Sequence, residues 1–349
     1  MGAATAALML LSAAVHAADQ RAELLVRGET ELQRGENAAA LDDFERAAMM
    51  RHEADAEIGL IRAALQDGQY RRALAFAAHT AGEHLDHTEA GALYSWLLYV
   101  GGQRDLALRL LGEWQARAPD DPVLAETARA LASDLPEARG VLLQAPQRFA
   151  PWPSGTVSPP ADAGFASNGV LIGDGSLAVV PALDADQVWV RNGRGQTSPA
   201  RVDRSDAALQ ASGLVLLHLQ APLPPGPASS VREPFAGSPG FALQFAPGAE
   251  AAWPMLSQGF LGSQSGALRR LGFALGQRAQ GAAVLDREGR LAGIVVADGE
   301  GGPRWLPATG WPGGAGEPSQ ANVARGLIAP DQVYEAGLRV ALQVLAVPR

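Results

Sequence analysis

The chain has 349 residues, 47% of them hydrophobic and 19% charged, with a formal net charge of -9. That length allows two or three domains with real cores, and so apolar a chain is not mainly disordered. The absence of cysteine excludes a disulfide framework, a thiolate metal site and a cysteine nucleophile, and an acidic balance without clustered cations argues against a nucleic-acid partner. All 28 basic residues are arginine, as coding bias in a GC-rich genome would give, so arginine alone signals little.

Residues 1–18 carry a short uncharged apolar run, AATAALMLLSAAVHAA, with small residues around His16. The run is shorter than the about 20 apolar residues of a spanning helix and reads as a cleaved secretory signal, with an Ala-rich helical start as the alternative. No later run is long and apolar enough to cross a bilayer. The expected location is therefore periplasmic or secreted, with no transmembrane segment.

Residues 19–135 show helical periodicity with little proline. Gly35, Gly68 and Gly102, in QRGEN, QDGQY and VGGQR, stand 33 and 34 residues apart, and each precedes an Ala-rich amphipathic run. Gly28 occupies a small position in a first helix, and Ala40, Phe44 and Ala47 make a small-large-small face on the next. Ala73 and Ala77, then Ala107 and Leu111, follow in the later units, with Pro119 at the end of the third. This period and placement resemble the tetratricopeptide repeat, a helix-turn-helix unit of about 34 residues. The resemblance implies three units, a capping helix over 122–134, and a concave face that would include Glu29, Arg62, Trp96 and Tyr99 as a protein- or peptide-binding groove. Core packing is the competing reading of Trp96 and Tyr99. His79, His84 and His87 fall in AHTAGEHLDHTE at a turn between units and read as a solvated helix end. No metal or cofactor is expected.

Residues 136–164 are Pro-rich and read as a linker. From 165 to 349 short Val-, Leu- and Phe-rich runs alternate with turn signals, which predicts an all-β barrel or sandwich. A Gly-rich insertion is expected near 298–326, and APDQVYEAGLRVALQVL reads as a closing helix.

The order of these runs resembles the trypsin-like peptidase domain of bacterial envelope proteases. SNGVLIGDGSLAVVPALDAD is similar to the strand pair leading into the catalytic histidine, and SGLVLLHL to the strand that begins at the aspartate. RAQGAAVLDREGRLAGIVVA is similar to the nucleophile segment, G-N-S-G-G-P followed by a hairpin, with Gly281, Val284, Leu285, Gly289, Gly293 and Ile294 keeping the frame. The resemblance covers about 165–300 and implies a trypsin-like double β-barrel. In its register the histidine position is Pro181, the aspartate position Gly213 and the serine position Gln280. The mechanism needs a hydroxyl nucleophile, a base that takes its proton and a carboxylate that orients the base, and these three residues supply none of them. His218 is the only histidine in the C-terminal two thirds and misses the histidine position, where it reads as an ordinary strand residue. The expectation is a non-catalytic binding or scaffold protein built from helical repeats and a pseudo-peptidase domain. The alternative is a trypsin-like endopeptidase with a divergent site.

Overall fold

A computed structural model of the chain describes residues 2–132, 158–185, 187–230, 232–248, 253–276, 278–299, 302–309, 311–312 and 328–347. The N-terminal region is helical: α1 (Gly2–Arg34), α2 (Asn37–Met50), α3 (Ala54–Gln66), α4 (Tyr70–Glu83), α5 (Thr88–Val100), α6 (Arg104–Arg117) and α7 (Pro122–Leu131). Each helix packs on the next in sequence. The signal-like segment and the helical run that follows it share the single helix α1.

The three aligned glycines end helices in the same way. Gly35, Gly68 and Gly102 have φ of 75°, 78° and 84°. Their amides donate to Leu32, Leu65 and Tyr99 carbonyls three residues back, and the next amides, of Glu36, Gln69 and Gln103, reach Glu31, Ala64 and Leu98 five residues back. This is the Schellman ending, which needs a left-handed residue that glycine adopts without a Cβ clash. The helices that follow bury Ala40, Phe44 and Ala47, then Ala73, Ala77 and Thr80, then Ala107, Leu111 and Trp114. Small residues opposite the rings allow the helices to close up. A methyl group added at Gly59 would lie 2.4 Å from the Phe44 ring, and one at Gly91 2.2 Å from the Trp114 ring.

Most of the Pro-rich stretch, together with 313–327 of the Gly-rich one, lies outside the described residues. Beyond it stand two closed six-stranded barrels. The first comprises β1 (Gly164–Ile172), β2 (Leu177–Pro181), β3 (Val188–Asn192), β4 (Thr197–Asp203), β5 (Leu214–Leu219) and β12 (Ala341–Ala346), in the order β1-β12-β3-β4-β5-β2. The second comprises β6 (Ser238–Gln244), β7 (Met255–Ser265), β8 (Leu268–Leu271), β9 (Ala283–Asp286), β10 (Leu291–Gly299) and β11 (Gly302–Pro307), in the order β10-β11-β8-β7-β6-β9. A helical region followed by a trypsin-like double barrel is therefore the architecture. A short helix, α8 (Ala207–Ala211), precedes β5 and is capped by the Asp206 carboxylate, which accepts from Ala208 and Leu209 amides.

Two expectations are corrected. The closing segment is a helix only through α9 (Pro330–Val340); its last residues form β12, which fills the gap between β1 and β3. Leu342 and Val344 point into the first barrel, while Leu345 packs outside it with Trp189. That period of two is invisible in a continuous apolar run. The start of the Gly-rich insertion carries β11, whose Trp305 is fully buried in the second barrel and pairs across to Arg269 and Val295.

Helix α9 joins the parts. Its Tyr334 ring centroid lies 4.3 Å from that of Tyr70 in the helical region, and the Tyr334 hydroxyl donates to the Pro254 carbonyl at 2.8 Å. Methyl groups added at Gly337 and Gly193 would lie 2.6 Å from Leu243 and 2.7 Å from Leu338. One hydrophobic core thus runs from the helices through α9 into both barrels.

Candidate functional site

The residues in the triad register meet at the junction of the two barrels. Pro181 ends β2, is buried, and pairs with Leu214 at the start of β5. The neighbouring Ala182 amide donates to the Gly213 carbonyl at 2.9 Å. Gly213, with φ of 71°, forms the turn out of α8, and a side chain there would meet no atom of the described residues within 4 Å. From the second barrel, Gly281 approaches so closely that an added methyl would lie 1.9 Å from the Asn168 carbonyl oxygen and 3.0 Å from Pro181 Cδ. Gln280 is exposed, and its carbonyl accepts from the Asn168 amide at 3.3 Å.

Asn168 holds this junction together, although nothing in the sequence pattern marks it. Buried on β1, it donates from Nδ2 to the Arg278 carbonyl at 3.0 Å and accepts from the Phe245 amide at 2.7 Å through Oδ1. Its amide and side chain therefore tie the first barrel to two segments of the second. Arg278 is the one non-glycine among the described residues with positive φ, at 56°. The Asn168 bond to its carbonyl fixes that turn. Its residue pattern is Arg278-Ala279-Gln280-Gly281, which places no hydroxyl, imidazole or carboxylate on the turn.

His218 lies elsewhere. On β5 it stands opposite Leu177, at the other end of β2 from Pro181, four strand residues or about 13 Å away. Its Nε2 meets the Asp203 carboxylate at 3.0 Å, and among the described residues no serine hydroxyl bonds to it. Asp203 is held down at about 2, first by Ser205, whose hydroxyl and amide both donate to it, and then by His218.

No family model and no curated protein matches the chain. Among solved structures, a serine endoprotease from Yersinia pestis is 23% identical over 41% of this chain and 53% of its own, with a TM-score of 0.36. The Rv3671c protease in its inactive form is 12% identical over 40% of this chain and 82% of its own, with a TM-score of 0.34. This chain spans about half the length of the first of these. At such values the fold rests on the strand order of the two barrels themselves.

The residues expected to line a groove separate into two kinds. Arg62 on α3 donates to Glu29 on α1 from both terminal nitrogens, at 2.8 and 3.0 Å, a closed fork in which the Arg62 side chain is only 13% exposed and that of Glu29 36%. At Trp96 and Tyr99 core packing replaces the groove expectation: each is only 1% exposed. Trp96 meets Trp253 of the β region edge-on at 6.4 Å between centroids, and Tyr99 lies under the Arg104 guanidinium at 5.4 Å. Trp253 of the β region thus covers the Trp96 ring, and the Arg104 side chain of α6 lies over that of Tyr99. Where the α3–α4 turn, the β3–β4 turn and α9 meet, a cavity of about 720 Å³ is lined by Asp67, Arg71, Arg194, Gln332 and Glu335 among others.

The helical histidines also depart from expectation. His87 is half exposed, as a solvated helix end would be, but the His84 side chain is only 16% exposed. His52, from the turn between α2 and α3, joins His79 and His84 around Glu57. His79, His84 and His87 lie close together in the chain, whereas His52 and Glu57 stand more than 20 residues before them and carry no local mark of the cluster. A topological signal existed: an antiparallel hairpin returns the end of α4 to the start of α3.

Proposed function

We propose that this is a non-catalytic binding or scaffold protein of the secreted or periplasmic space, with tetratricopeptide-like repeats and a pseudo-peptidase double barrel. The observation that carries the reading is the junction around Gly281. There Pro181, Gly213 and Gln280 come together in the register of a catalytic triad and bring no group able to take a proton or attack a carbonyl. The one histidine of the β region is about 13 Å along the strand and already engaged with Asp203. The charged cavity beside α9 and the partly exposed Glu29 edge of the Glu29–Arg62 fork are the surfaces offered to a protein or peptide partner.

The test is labelling of the purified full chain with a fluorophosphonate probe. No serine should be modified above the level of the heat-denatured protein. Robust labelling of one serine, abolished by substituting it, would overturn this reading in favour of a serine endopeptidase with a divergent site.

A further inference from the structure

The geometry points to a divalent transition-metal site, fitted to zinc, formed by His52, Glu57 and His79 in the helical region. It is independent of the barrel junction.

Three atoms converge there. His52 Nε2 lies 2.6 Å from Glu57 Oε1, His79 Nε2 lies 3.8 Å from the same oxygen, and the two nitrogens are 3.3 Å apart. A triangle with these sides has a circumscribed radius of about 1.9 Å. A point lifted about 0.6 Å from its plane is therefore about 2.0 Å from all three atoms, the length of zinc–imidazole and zinc–carboxylate bonds. No rearrangement of the backbone is needed to bring the ligands together. The ring centroids of His52 and His79 are 5.4 Å apart against 3.3 Å between nitrogens, so the rings meet nitrogen first.

The carboxylate supplies the second observation. Glu57 sits in the first turn of α3 and is 3% exposed, an expensive place for a charge without a partner. Its Oε2 is buried and accepts no hydrogen bond among the described residues; it faces the buried Nε2 of His84 at 3.5 Å, within ion-pair reach, and that nitrogen makes no hydrogen bond among them either. A buried carboxylate with two imidazole nitrogens converging on Oε1 and no hydrogen bond at Oε2 fits a cation held at Oε1, which would offset a charge that neutral imidazoles leave uncompensated. Imidazole nitrogen with one carboxylate oxygen suits zinc and its first-row neighbours rather than calcium or magnesium, which take all-oxygen shells. His52 and His79 are 58% and 48% exposed at their side chains, so an ion reaches them directly from solvent. Once bound, it clamps the α2–α3 turn to α4 and fastens two helical hairpins together.

The test uses tag-free full-length protein, stripped with a chelator and then freed of it. Isothermal titration with zinc should show one ion per chain. Cobalt should give the intense visible bands of a tetrahedral site. His52→Ala and His79→Ala, checked for folding by circular dichroism, should each lower affinity by more than the about 10–100-fold that even outer-shell changes produce. Zinc should raise the Tm of the parent chain and leave that of either variant unmoved. His218→Ala should bind as the parent does. Absence of saturable binding, or binding unchanged in both histidine variants, would overturn the proposal. Glu57→Gln is informative only if it folds, and the two exposed histidines decide the question without it.

Discussion

The barrel junction and the α3–α4 corner of the helical region present opposite cases. At the junction a close glycine turn, paired strand ends and a buried asparagine staple gather Pro181, Gly213 and Gln280, and none of these side chains carries a nucleophile, an imidazole or a carboxylate. At the corner an ordinary helical hairpin brings together three imidazoles and a buried carboxylate. The proposed triad register thus leads to three side chains without a titratable group, while titratable groups converge in a region whose sequence reads as packing and peptide capture. Backbone geometry and side-chain chemistry are set separately, and function follows the second.

This contrast can be broken most readily at Trp96. As a core residue against Trp253, its replacement in Trp96→Ala should cost about 3–5 kcal/mol in chemical denaturation. A cost near zero would return Trp96 to a ligand-facing surface. Next in size is the junction itself. Asn168→Ala removes the acceptor of the buried Phe245 amide and the donor to the Arg278 carbonyl, and should lower stability by about 2–4 kcal/mol while creating no peptidase activity. An Asn168→Ala protein as stable as the parent would mean that the two barrels are not coupled through this side chain. The smallest effect concerns Asp203. Its folded value of about 2 is below that of an unfolded aspartate, about 3.9, so its contribution to stability is complete above that unfolded value and is lost as pH falls through 2. Asp203→Asn should flatten the acid limb of the stability profile between about pH 4 and 2, read from urea melts at stepped pH. An unchanged acid limb would remove Asp203 and its Ser205 and His218 contacts from the account.

Much of the fold was legible because its signals are local. The Gly35, Gly68 and Gly102 spacing reports a helix ending that a single residue's φ decides. Runs such as LAVV, QVWV and GIVV announce strands through β-branched residues and flanking turns. Strand β4 was harder to see, since it carries Pro199 and an Arg–Asp end with little apolar alternation. Strand β12 was concealed for another reason: ALQVLA continues the apolar face of α9 without a glycine or proline to divide them, and only the vacant edge between β1 and β3 makes it a strand. Asn168 could not be singled out at all, because an asparagine in a strand looks the same whether its amide joins two barrels or meets water.

By itself the sequence determined the order of the modules, the repeat period, the all-β character of the C-terminal region and the absence of titratable groups at Pro181, Gly213 and Gln280, for each of these depends on residue identity and near neighbours. Tertiary structure alone decided that α9 joins three parts in one core, that Trp96 and Tyr99 are covered rather than offered, and that His52 meets His79 over Glu57 across 27 residues of chain. Burial and convergence are properties of which surfaces close on one another, and residues distant in sequence acquire them only when the helices and barrels have packed.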